Sequence, residues 1–207
     1  MITTVCVDVG SVSQNNFGWW SDRDATASGT LPSEVSKHVA VLLNKGLPVA
    51  LGFECPLFVP IAEDETRLTN SRPGEGSRPW SAGAGSGSLA TGLTQVTWVL
   101  REIRRHLEKT VSVSLDWRTF GTNGSALFLW EAFVTGPAKT GDHVQDARAG
   151  AQAFAAALPN LASANCIVCD GEVQSLVAAS LLRTGWTQDV ALLQQPCLVI
   201  RAAEHVV

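Results

Sequence analysis

The chain has 207 residues, 45% of them hydrophobic and 16% charged, with a formal net charge of −4. That length supports one good core and that composition excludes a wholly disordered chain. The acidic balance excludes a global pull towards nucleic acid or anionic membrane, so such a partner would need a local basic patch.

Residues 3–9 are rich in β-branched side chains and read as a buried strand whose one charge is Asp8. A carboxylate inside a buried strand costs several kcal/mol unless a hydrogen bond, a cation or a metal compensates it. Gly10 and Ser11 break the strand, and Asn15, Asn16 and Gly18 mark a reversal into a second strand carrying Trp19 and Trp20. A short third strand is expected over residues 25–30. Pro32 then suits the first turn of a helix, with Val35, Val39, Leu42 and Leu43 on one face. Gly46 ends that helix. Residues 49–54 form a fourth strand, apolar until Glu54, and Pro56 stops it.

The composition changes over residues 60–92, where Gly, Ser and Pro dominate around Arg72, Arg78 and Trp80. This stretch reads as one long loop, functional or disordered. A second helix follows, with Leu93, Val96, Leu100, Ile103 and Leu107 spaced for one buried stripe. On its other side Arg101, Arg104, Arg105 and Lys109 recur at helical spacing, as a phosphate-contacting stripe or as a solvated face. Residues 126–133 form a fifth strand bearing Glu131. Asp142 caps a third helix containing His143 and Asp146. Residues 166–169 are read as a sixth strand ending at Asp170, followed by a helix from Val173 that Gly185 closes, and a last strand over residues 197–200.

The expected architecture is a single α/β domain over residues 1–207. A three-strand antiparallel meander joins parallel strands in a mixed sheet flanked by helices, with an extra strand and helix at the C-terminal end. No apolar run reaches the roughly 18 residues of a membrane span. The N-terminus lacks the features of a signal peptide. Cys6, Cys55 and Cys166 in apolar surroundings suit free thiols, so a cytoplasmic location is expected. Cys166 and Cys169 lack the second ligand pair a zinc site needs.

In an open α/β sheet, ligands bind beyond the carboxyl ends of the parallel strands. Asp8 and Glu54 close two such strands. If those strands are neighbours, the two acids meet at one edge and call for a cation, and hard oxygen donors suit Mg²⁺ or Mn²⁺. A two-metal hydrolase needs a third acid. Asp146 is one choice, and Asp170 or Glu172 is the rival.

A buried strand ending in Asp8-Val9-Gly10-Ser11 and folding back as a hairpin resembles the opening of ribonuclease H-like and actin-like folds. Residues 170–186, residues 5–18 and the Phe53-Glu54-Cys55-Pro56-Leu57 segment resemble the family called domain of unknown function 429, predicted nucleases of ribonuclease H-like fold. That resemblance covers about a quarter of the chain. It implies a metal-dependent phosphodiester hydrolase acting on nucleic acid. Asp8, Glu54, Asp146 and Asp170 are its candidate catalytic acids, with Asp8, Glu54 and Asp146 holding the metal. Arg72, Arg78, Arg101 and Arg105 are the candidate substrate contacts. Gln174 and Ser175 stand where the family carries Asp-Ala, which leaves open a non-catalytic scaffold that kept the fold. An actin-like nucleotide binder, with Gly10 and Ser11 on phosphate, is a third reading. A dinucleotide site at residues 85–90 fails because no strand precedes it.

Overall fold

Thr3, Thr4, Val5 and Val7 are stiff side chains that suit a pleated strand, and Thr3–Asp8 forms β1, buried along its whole length. A computed structural model describes residues 2–24, 27–120 and 127–202. The reversal after β1 runs through a short 3₁₀ turn and Asn15, whose φ of 58° is left-handed, into β2 (Gly18–Ser21) and the two-residue β3 (Ser28–Gly29). Then come α1 (Pro32–Asn44), β4 (Val49–Glu54), β5 (Phe58–Pro60), α2 (Gly83–Arg105), β6 (Val113–Ser114) and β7 (Leu127–Phe133). The chain continues with α3 (His143–Ala157), the one-turn α4 (Leu161–Ala164), β8 (Val173–Ser175), α5 (Leu176–Thr184) and β9 (Val199–Arg201).

Seven strands form one mixed sheet in the order β3-β2-β1-β4-β7-β6, with β9 also paired to β7. The first three are antiparallel, while β1, β4 and β7 run parallel. The edge of β7 is shared, β6 covering its first half and β9 its last. On one face, Val5, Val7, Leu51, Phe53, Leu127 and Leu129 pack against α1, α2 and α5. On the other, Cys6, Ala50, Phe128, Trp130 and Ala132 pack under α3, with Trp130 stacked on Phe154 at 4.5 Å between centroids. Strand alternation therefore sends even-numbered residues of β1 and β4 towards α3. Among the described residues, no helix is long and apolar enough to cross a membrane.

Several sequence-based boundaries differ. The loop read over residues 60–92 is shorter, because α2 begins at Gly83. Hydroxyls of Ser86, Ser88 and Thr91 bond back to helix carbonyls, and a Cβ at Gly92 would lie 2.5 Å from Cys55 Sγ. The glycines that weaken helix propensity are thus kept where they allow close packing. Residues 166–169 form no strand. Their segment reaches the sheet through a single antiparallel bridge, Asn165 to Ile200, since β9 already occupies that part of β7. β8 instead pairs antiparallel with β5 in a separate two-stranded ribbon. Ala25, Thr26 and Ala126, the first residues of two expected strands, lie outside the described residues.

The start of α3 sits directly on β2. A Cβ at Gly18 would meet the His143 carbonyl carbon at 2.2 Å and the Val144 nitrogen at 2.5 Å. Backbone atoms cannot swing aside as a flexible side chain can. Gly18→Ala is expected to destabilise the fold by about 1–3 kcal/mol, the usual range for overpacking, read as a lower urea midpoint. An unchanged midpoint would contradict this close approach.

Candidate functional site

Parallel pairing puts Asp8 and Glu54 in register on adjacent strands. Residues so paired point to the same face about 4.8 Å apart. Both lie at the carboxyl end of their strand, on the side covered by α3. Asp8 is 3% exposed. Two ionised carboxylates about 4 Å apart repel by about 4 kcal/mol at an effective dielectric near 20, so the pair needs positive charge.

The start of α3 adds two more groups. Asp142 caps the helix, accepting from the Val144 and Gln145 amides at 2.9 and 3.1 Å. His143 and Asp146 then share one face at i, i+3. His143 Nδ1 lies 2.6 Å from Asp8 Oδ2. Asp146 is fully buried and its Oδ1 accepts from the Thr140 amide at 2.7 Å and the Thr140 hydroxyl at 2.8 Å.

The turn between β7 and α3 supplies the cation. Lys139 Nζ lies 2.5 Å from Glu54 Oε1, 3.7 Å from Asp8 Oδ1 and 3.7 Å from Asp146 Oδ2. One ammonium thus serves three carboxylates, leaving two formal negative charges. Burial pushes the Glu54 carboxyl well above the usual carboxylate range; Asp8 adds to the rise and Lys139 opposes it. Burial works against the Lys139 charge too, yet Glu54 and Asp8 outweigh it and raise its pKa. Burial leads the Glu54 rise, whereas the neighbouring carboxylates lead the Lys139 rise. Glu54 Oε2 and Asp146 Oδ2 are buried without a hydrogen-bond partner among the described residues.

This donor set fits a hard divalent cation. Its atoms are carboxylate oxygens plus one imidazole, two of the oxygens lack a hydrogen bond, and Asp8, His143 and Asp146 each offer a ligand atom within 4.8 Å of the others. Asp8, Glu54 and His143 open onto a cleft of about 150 Å³, also lined by Arg78, Trp80 and the first turns of α2, with Asp146 buried behind them.

Of the sequence-predicted site residues, Asp8, Glu54 and Asp146 come together. Asp170 and Glu172 do not. Both are exposed and line a different cavity with Asp64 and Arg67, because their segment leads into the β5–β8 ribbon. Arg101 and Arg105 pair with Glu102 at 3.1 and 2.9 Å. Sixteen residues at 1.5 Å each put Arg101 about 24 Å along α2 from Gly85 at the cleft, so the basic stripe is a solvated face. Arg78 is exposed at the cleft. Gly10 is engaged already: its amide donates to Gln95 Oε1 at 3.2 Å and its carbonyl accepts from Gln95 Nε2 at 2.5 Å. An actin-like phosphate contact would have to displace both bonds.

Arg72, expected to contact substrate, is buried, and with Glu75 and Glu131 it lines the same cleft as Asp8 and Glu54. Its guanidinium donates to both oxygens of Glu131 at 2.9 and 2.6 Å, to Glu75 Oε1 at 2.8 Å and to the Phe58 carbonyl at 3.1 Å. Glu131 also accepts from the Leu57 amide at 2.9 Å. It pairs in register with Phe53, so it points to the sheet face opposite Asp8 and Glu54. Glu75 Oε1 accepts from the Trp80 amide at 3.1 Å. The network pins the segment before α2, which explains why a Gly- and Pro-rich stretch is ordered here.

Lys139 and Thr140 were not legible from residue type. The available signal was position, since the turn after a parallel strand faces the ligand edge. Searches against protein-family models, curated proteins and solved structures return no match.

Removing one partner from a buried ion network leaves uncompensated charge. Arg72→Met strands Glu75 and Glu131 and is expected to cost about 3–5 kcal/mol of stability, measured by urea unfolding. A variant of native stability with weakened nucleic-acid binding would instead restore Arg72 as a substrate contact.

Proposed function

We propose that this chain is a divalent-cation-dependent phosphodiester hydrolase of ribonuclease H-like fold acting on nucleic acid. The observation that carries this reading is the register of Asp8 with Glu54 at the carboxyl edge of the sheet, with Asp146 and His143 delivered to the same place by α3. Three antiparallel strands followed by parallel β4 and β7 support the fold reading.

Asp8, Glu54 and Asp146 are the residues that would hold Mg²⁺ or Mn²⁺. Such an ion, when bound, eases deprotonation of a water and offsets charge on the departing oxygen. The rest falls to the chain. Thr140 fixes Asp146 through two hydrogen bonds to one oxygen, aiming the other into the cluster. The short contact of His143 Nδ1 with Asp8 Oδ2 orients the imidazole, whose residue lines the cleft. Arg78 at the mouth offers charge to a phosphodiester, and Trp80 an aromatic face for an unstacked base. With a net charge of −4, binding depends on such local contacts.

Lys139 among the acids favours a second reading, a non-catalytic binding protein whose acid cluster is neutralised from within. One experiment separates the two. Wild type and Asp8→Asn are assayed with Mn²⁺ on single-stranded, duplex and hybrid substrates, alongside melting temperatures. The hydrolase reading expects cleavage by wild type and a loss in Asp8→Asn beyond the roughly 10–100-fold that an outer-shell partner is worth. Absence of both cleavage and a Mn²⁺-dependent melting shift in wild type would contradict it and leave the scaffold.

A further inference from the structure

The carboxylates and the lysine cannot all be served by one arrangement. Lys139 Nζ reaches Glu54, Asp8 and Asp146, residues of β4, β1 and α3. It therefore stands in the space that any cation bridging those three side chains must enter. A divalent ion needs carboxylate oxygens at about 2.0–2.6 Å, leaving no room for an ammonium 2.5 Å from Glu54 Oε1.

Lysine is also an incomplete occupant. It makes one short contact and two at 3.7 Å, the longer ones to Asp8 Oδ1 and Asp146 Oδ2, and it leaves Glu54 Oε2 and Asp146 Oδ2 without a hydrogen bond. Its side chain is 33% exposed, so the four-carbon stem enters from the solvent side and can leave without unpacking the core. The turn that carries it is bounded by Gly136 and Gly141, with φ of 62° and 85°, backbone conformations that glycine adopts without strain. Thr140, its neighbour, stays anchored to Asp146. Departure thus requires movement of one side chain, not of the acids.

We propose that Lys139 is a built-in competitor for the divalent cation: its ammonium closes the acid cluster when no ion is bound and withdraws when one enters. This rests on the reading of Asp8, Glu54 and Asp146 as a cation site. The apparent affinity of a site equals its intrinsic affinity scaled by the fraction of time it is open. The lysine thereby sets a threshold concentration below which the site stays closed, and it keeps the acids from repelling one another until then.

The test is calorimetric titration of Mn²⁺ into the full chain as wild type, Lys139→Met, Lys139→Gln and Lys139→Arg, with the melting temperature of each. A competitor holding the site about nine-tenths of the time makes both neutral variants bind Mn²⁺ about tenfold more tightly, and Lys139→Arg no tighter than wild type. Lys139→Gln keeps a hydrogen-bond donor for Glu54, so the comparison survives if Lys139→Met does not fold. Binding that is as weak as wild type in Lys139→Gln overturns the competitor role while leaving the cation site standing. Equal tightening in Lys139→Arg also overturns it. Binding in the neutral variants alone shows a lysine that does not withdraw, and so overturns the competitor role and a cation-dependent function for the native chain. No Mn²⁺ binding in any variant overturns both the competitor and the cation site.

Discussion

Two carboxylates held side by side by parallel strand pairing are the constraint on which this molecule turns. Asp8 and Glu54 cannot separate without breaking the register of β1 and β4, the centre of the sheet. Their repulsion has to be met by something brought from elsewhere in the chain. Lys139 comes from the segment linking β7 to α3, and Asp146 from the first turns of α3 itself. The approach of that segment depends on small residues: Gly18 beneath the His143 carbonyl, and Gly150 where a Cβ would touch Cys6 Sγ at 2.8 Å.

A second ion cluster lies on the opposite face and has a different character. Arg72 is matched by two carboxylates with bidentate geometry on Glu131, and Glu75 and Glu131 are otherwise engaged by backbone amides. Every charged group there has a fitted partner, as buried charges in a purely structural role require. The Asp8 cluster differs because three acids share one ammonium and two buried oxygens remain without a hydrogen bond among the described residues. That contrast within one protein sets a fully matched network that holds a loop against an acid cluster short of hydrogen bonds, the feature on which the proposed cation site rests.

Much of the frame was legible in the sequence because it depends on local pattern. β-Branching marked β1, and apolar runs with one carboxylate near the end marked β4 and β7; Asp142 and Gly185 marked a helix start and a helix end, and both act as caps. The Asp8–Glu54 pairing was legible as well, each being the sole charge of an apolar strand. What escaped depended on tertiary contact. The glycines and serines before Leu93 signal a loop by propensity, yet their smallness lets α2 extend over the cleft. The basic stripe at Arg101 and Arg105 has helical spacing, but its distance from the acids follows only from where α2 begins. Arg72 reads as a loop arginine until strand alternation turns Glu131 towards it. Asp146 could be separated from Asp170 only by knowing that β8 leaves the main sheet to pair with β5.

The central claim is that Asp8, Glu54 and Asp146 form a divalent-cation site. Its most direct test is a crystal structure of the full chain grown with Mn²⁺, with anomalous scattering collected to locate the ion. An anomalous peak is expected about 2.0–2.6 Å from carboxylate oxygens of all three residues, with Lys139 turned out to solvent. A map in which Lys139 still spans the three acids, and no Mn²⁺ lies among them at millimolar concentration, would contradict it.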